Sequence, residues 1–233
     1  MQQEITFKLF GAQHLWTLVI IFISYALVLI YGNKLSKQVK KIISWFIIIG
    51  LLGDELLYNI LDILNNRWSI QTSLSLHLCG FSIFLVSYTV FTKNKKTFSL
   101  CYFWAVGALQ AILTPNFTET FPSFRFVQSF LSHGLIIFGV LFLMATEKFR
   151  PTWSSLFSSY GITVILVAFI GLFNYFFDTN YMYLCAKPPG FNITSFMSDS
   201  FYLPLLFITS FLLMTLFYLP YAIYDWIKAN RKV

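Results

Sequence analysis

Seven stretches of the chain read as nearly continuous apolar runs, at roughly 13–32, 42–64, 72–92, 98–115, 126–146, 154–177 and 201–227. Each approaches the ~20 residues that an α-helix needs to cross the hydrocarbon core of a bilayer. The connections are short, except for the stretch at 178–200. No internal repeat and no low-complexity segment interrupts the series. The pattern predicts an all-α polytopic membrane protein, with residues 1–233 as one domain of seven transmembrane helices. Pro115 is expected to end the fourth run, and Pro204 and Pro220 to bend the seventh. Pro188-Pro189-Gly190 marks a turn in the long connection.

Composition agrees with that reading. The chain is 58% hydrophobic and 11% charged, with a mean hydropathy of +0.71. A soluble domain carries about a quarter charged residues. The net charge of +7 would suggest nucleic acid in a soluble protein, but here the basic residues sit in short connections. Orientation in a bilayer accounts for them, and no nucleic-acid partner is expected. Twelve of the sixteen Lys and Arg follow runs one, three, five and seven, and the other four (Lys8, Arg67, Arg125, Lys187) lie on the opposite side. The positive-inside bias then predicts an outside N-terminus and a cytoplasmic C-terminus, in the cell membrane. The first residues, with Glu4 and Lys8, lack the basic start and small-residue cleavage site of a signal peptide. The triplets at Asn116 and Asn192 match glycosylation acceptors on the outer side.

Buried polarity concentrates toward one end of this layout. Asp54, Glu55, Asn59 and Asp62 occupy the outer half of run two. His14 lies near the outer start of run one, Gln110 and Asn116 near the end of run four, and Asn174 and Asp178 near the end of run six. A polar cavity open to the outer face is expected. Ionisable groups inside a span are costly, and by default mark function. His77-Leu78-Cys79 combines an imidazole and a thiol, the elements of nucleophilic catalysis. On a helix, however, residues two apart point about 200° apart, which makes His77 a poor base for Cys79. Cys79 and His133 are each expected about 10 Å below the outer end of their own helix. His133 is therefore the better partner for the thiol. Glu55, Asn59 and Asp62 share one helix face, beside Asp54 and Tyr58.

Plainer readings stand beside these. Cys79 can be an inert buried residue or can pair with Cys185. His133 can simply tie two helices together. His14, Arg125 and Lys187 can be interfacial residues. Three cysteines are not a disulfide framework.

Four segments, Phe10 to Leu15 (FGAQHL), Leu74 to Cys79 (LSLHLC), Arg125 to Gly134 (RFVQSFLSHG) and Asn180 to Pro188 (NYMYLCAKP), resemble the YwaF-like bacterial integral membrane proteins. Ser75 stands where that family usually has proline. The group is also similar to a eukaryotic transmembrane acyltransferase that builds polyunsaturated ether phospholipids with a membrane-embedded cysteine and histidine. What the resemblance implies is acyl transfer between membrane lipids, with Cys79 as nucleophile and His133 as base. His77, His14, Asp54, Glu55, Asn59, Arg125 and Lys187 would bind or orient the substrate, with no metal and no cofactor. Lipid hydrolysis at the same site is the variant of this reading. Two other classes compete. In a metal-dependent hydrolase, His14, His77, His133 and the carboxylates of run two would supply ligands, although run seven lacks a histidine. In a transporter or sensor, the acidic midsection would carry protons or cations. The absence of repeats counts against a secondary transporter, and a retinal protein is disfavoured because run seven has no lysine before Lys228.

Overall fold

The computed structural model describes residues 6–188 and 193–231. The expectations that fall on Glu4, Pro189, Gly190 and the acceptor triplet of Asn192 lie outside the described residues. Among those described, there are seven α-helices and no strands. The helices are α1 (Ala12–Tyr31), α2 (Lys37–Leu64), α3 (Leu78–Thr92), α4 (Lys95–Leu113), α5 (Phe124–Glu147), α6 (Trp153–Phe177) and α7 (Tyr202–Asn230). Five of them, α1, α4, α5, α6 and α7, are long and apolar enough to cross a membrane.

Local chemistry sets the boundaries. Ser36 caps α2 by accepting from the Val39 N–H. This lets α2 begin at Lys37, five residues before the apolar run at 42. Asn94 caps α4 in the same way, and Thr152 and Ser155 form a reciprocal capping box on α6. Pro204 sits in the first turn of α7, and Pro220 lies inside that helix. The connections after α3, α5 and α6 leave through the left-handed residues Lys93, Lys148 and Asp178.

The third apolar run departs from expectation. Helix α3 starts only at Leu78 and has 15 residues, so residues 72–77 form an irregular segment instead of its first turns. His77 is the residue before the helix and Cys79 lies in its first turn. The side chains of Leu74 and Leu76 make this stretch as apolar as a helix, but its backbone is held by contacts distant in sequence. Tyr181, 1% exposed, accepts from the Leu74 N–H (3.0 Å) and donates to the Ile70 carbonyl (2.8 Å) through its hydroxyl.

Helix α5 is the centre of the bundle and packs against α1, α2, α3 and α4. The main core joins these five helices through residues such as Ile47, Leu51, Val86, Ile112, Ile136 and Phe142. A smaller core at Phe103, Trp104, Leu156, Met214 and Tyr218 joins α4 to α6 and α7. Gly139 sets the spacing of α3 and α5, because a Cβ there would lie 2.6 Å from Val86. Polar bridges tie helices where apolar packing has no advantage over lipid. Tyr25 donates to the Gly134 carbonyl, Trp104 to Thr163, Tyr102 to the Phe217 carbonyl and Tyr160 to the Phe207 carbonyl.

Candidate functional site

A cavity of about 620 Å³ opens where α2, α4 and α6 end and α3, α5 and α7 begin. That volume falls within the range of small-molecule sites. One wall is polar, formed by Glu55, Tyr58, Arg125, Gln128, Ser129 and His133. The other is largely apolar, with Val164 and Val167 from α6 and Leu206, Leu213 and Met214 from α7. Cys79 and Gly80 stand at the beginning of α3, between the two.

Cys79 and His133, from α3 and α5, line the same cavity, near enough for the two groups to influence each other electrostatically. The His133 Nδ1–H donates to the Ser129 carbonyl one helical turn back, at 2.7 Å. A carbonyl only accepts, so Nδ1 carries the proton and Nε2 is left with its lone pair. That tautomer suits a base facing a thiol. Asp54, on α2, contributes its charge to the His133 environment and accepts from the Gln128 side chain at 3.1 Å.

The entry to α3 completes this arrangement. The helix has no side-chain cap. Its first N–H groups, on Leu78, Cys79 and Gly80, lack intrahelical acceptors, as in the first turn of any helix. They point with the positive end of the helix dipole toward the side from which the chain enters, an environment that favours negative charge. Gly80 is required by close approach: a Cβ there would lie 2.5 Å from the Ser75 carbonyl oxygen. The segment before α3 thus folds directly over the helix start.

The other candidate residues divide into three groups. Arg125, Glu55 and His77 line the cavity. Arg125 lies 5.2 Å from the Tyr58 ring centroid, and Glu55 accepts from Ser75 and from Asn59. His77 accepts from the Met182 N–H at 3.2 Å through Nδ1 and packs on Tyr181 and Tyr183. It thereby holds a turn in which Met182 and Tyr183 both have positive φ. Asn59 lies behind the cavity wall, bridging Glu55 to the Trp68 indole (3.1 Å). Lys187 belongs to the long connection between α6 and α7, where it pairs with Asp199 at 2.6 Å. His14 does not line the cavity. It is 0% exposed, accepts from the Phe10 N–H at 3.0 Å and donates to the Ile112 carbonyl at 2.8 Å. Both of its nitrogens are therefore occupied, Nδ1 by the segment that leads into α1 and Nε2 in tying α1 to the end of α4.

Three residues that the sequence reading passed over belong to the site: Gln128, Ser129 and Ser132. Their signal was present, since 125, 128, 129, 132 and 133 follow the i, i+3, i+4, i+7, i+8 spacing of one helical face. Asn174 and Tyr181 were also legible only in part. Asn174, 2% exposed, donates to the Tyr181 carbonyl and accepts from the Tyr181 N–H, both at 2.9 Å, fixing the turn that carries His77's partners.

Two alternatives can be tested on geometry. Cys79 and Cys185 are both free thiols, so the disulfide between them is not formed. Among the described residues no three His, Cys, Asp or Glu side chains converge as metal ligands, and His14, His77 and His133 in particular are engaged separately. The donor set proposed for a metal hydrolase does not fit a metal centre.

A bundle of apolar helices with a polar cavity sunk into one end defines a multi-pass membrane protein. The chain matches the TMEM164 family model over residues 9–221 and belongs to the TMEM164 family, a family of transmembrane proteins. No curated protein and no solved structure matches it.

Proposed function

We propose that the chain is a membrane-embedded lipid acyltransferase or hydrolase, with Cys79 as nucleophile and His133 as general base. The observation that supports this reading is that Cys79, at the start of α3, and His133, on α5, line one cavity that has both polar and apolar walls. A lipid has the matching shape of chemistry: a polar ester region and an apolar chain.

The steps balance as follows. His133 Nε2 takes the thiol proton while Cys79 Sγ attacks the ester carbonyl carbon. The first-turn N–H groups of α3, on Cys79 and Gly80, would stabilise the resulting oxyanion. The intermediate collapses, the carbon–oxygen bond breaks, and the leaving alkoxide takes the proton from His133. The acyl group is left as a thioester on Cys79. An acceptor hydroxyl, from a second lipid or from water, then gives its proton to His133 and attacks the thioester. The Cys79 thiolate departs and recovers that proton. Asp54 and Gln128 are positioning residues that hold the electrostatics of the base. Arg125 and Glu55 face the polar part of the substrate.

The proposed topology has seven spans, with the N-terminus outside and the C-terminus cytoplasmic, in the cell membrane. It rests on the distribution of lysine and arginine. In that arrangement α3 covers only about 22 Å, less than the ~30 Å hydrocarbon core. Residues 72–77 complete the crossing as irregular backbone, which is tolerated at membrane depth only inside protein or beside a cavity. Tyr181 and the cavity supply both conditions. The site then faces the outer leaflet, where membrane lipids are the donors and acceptors.

The test is capture of the intermediate. Purified protein incubated with phospholipid should gain the mass of one acyl group, removable by hydroxylamine and mapped to Cys79. A folded Cys79→Ala variant should gain none. Acylation that persists at another residue, or lipid turnover unchanged in that variant, overturns the proposal.

A further inference from the structure

A second cavity, of about 350 Å³, lies at the opposite end of the bundle, between the start of α2 and the end of α3. It is lined by Lys37, Lys40, Lys41 and Lys93, with Ser44 beside them and Trp45, Ile48, Val90 and Phe91 below. Four ammonium groups around one small concavity repel one another unless an anion sits among them. No carboxylate lines this cavity. The three ion pairs among the described residues engage Arg67, Arg150 and Lys187, and none uses these lysines. Glu147 is close enough to influence Lys93, but leaves the other three cations unmatched. Lys93 is half-buried, with its ammonium donating to Ser44 Oγ at 3.2 Å and lying 5.1 Å from the Phe142 ring centroid. Lys93 is thereby anchored at the cavity, beside the lysines that α2 presents.

We infer that this cavity is a binding site for an anionic phospholipid, with the headgroup phosphate among Lys37, Lys40, Lys41 and Lys93 and an acyl chain along Trp45 and Phe91. The apolar part decides between a lipid and a free anion. Trp45 and Phe91 are 45% and 67% exposed and meet edge-on at 6.1 Å, forming an outward-facing aromatic wall beneath the lysines. Interfacial tryptophan beside basic residues is the arrangement that headgroup regions favour, and basic pockets between transmembrane helices bind anionic headgroups. A free phosphate would use the rim and leave the wall idle. This site is independent of the acyl-transfer reading and stands whether or not that reading holds.

Native mass spectrometry of the full chain, with added phosphatidylglycerol or phosphatidylcholine, tests it. The wild-type protein should retain phosphatidylglycerol at least about tenfold more strongly than phosphatidylcholine. In Lys40→Gln/Lys41→Gln, that preference should fall at least about fivefold, toward equal retention of the two lipids. The variant Lys95→Gln/Lys96→Gln, at the same end of the bundle but outside the cavity, should keep it. Thermal melting without lipid checks the fold of each variant, and Lys37→Gln/Lys41→Gln serves if the first pair fails. Equal retention of the two lipids by wild-type protein overturns the site, as does an undiminished preference in both cavity variants. Displacement of the lipid by an equal concentration of inorganic phosphate overturns the lipid assignment.

Discussion

Two histidines of this bundle, His14 fully buried and His133 partly buried, have contrasting surroundings. His14 holds an N–H on one nitrogen and a carbonyl on the other, among the rings of Phe7, Phe10 and Phe130. Nothing is left for a substrate. His133 fixes only Nδ1, to its own helix at Ser129, and lines the cavity that Cys79 also lines. The difference teaches that burial alone does not identify a working histidine. What separates the two is a nitrogen left without a side-chain hydrogen bond on a cavity that a free thiol also lines.

Removing each imidazole should break the comparison in opposite ways. His133→Gln should lower acyl transfer about 10²–10⁴-fold, the usual contribution of a general base, with little change in melting temperature. Assay of lipid turnover on folded, monodisperse protein measures this. A smaller effect, with thioester still forming at the normal rate, would make His133 a packing residue like His14. His14→Ala should instead cost about 2–4 kcal/mol of stability, because it strands the Phe10 N–H and the Ile112 carbonyl and opens a void. Thermal unfolding reads this loss, and the turnover of the protein that remains folded should match wild type. Loss of turnover at full stability would return His14 to the site.

Asp54→Asn sharpens the contrast at an intermediate size. The amide keeps a hydrogen bond with Gln128 but removes the charge that acts on His133. Turnover should fall roughly tenfold, the scale of one screened charge interaction of ~1–2 kcal/mol. The same substitution should leave the melting temperature nearly unchanged, because Asp54 makes no ion pair among the described residues. An equal loss of stability and turnover would mean that Asp54 acts on the fold and not on the base.

How far these roles could be read from the sequence depends on the range of the contact. Helices α1, α4, α5, α6 and α7 begin and end within a few residues of their apolar runs, because hydropathy and helix length report the same physical requirement. The beginning of α3 was not legible. Leu74 and Leu76 are apolar in any conformation, and the contacts that unwind them come from Tyr181, more than a hundred residues away. The expected pairing of Cys79 with His133 assumed similar depths in two regular helices. In the structure Cys79 sits in a first turn and His133 nine residues into α5, so the irregular entry, not matched helical rise, puts both on one cavity. The polar stripe of α5 was legible by spacing. The separate fate of His14 was not, because its partners are a backbone N–H and a backbone carbonyl, which carry no side-chain signature.

Ser75 provides the smallest and most local test. Its hydroxyl donates to Glu55, and its carbonyl lies over Gly80 at the start of α3. The first contact depends on the side chain and the second on the backbone alone. Ser75→Ala removes the hydroxyl and leaves Glu55 with the Asn59 amide, a change worth about 1 kcal/mol. Turnover should fall no more than a few-fold, because the backbone that folds over Gly80 is preserved. A Michaelis–Menten series would locate the loss in KM, where a change at the polar wall belongs, with kcat retained. A collapse of kcat would instead mean that the Ser75–Glu55 contact, and not the close crossing at Gly80, holds the entry to α3 against His133.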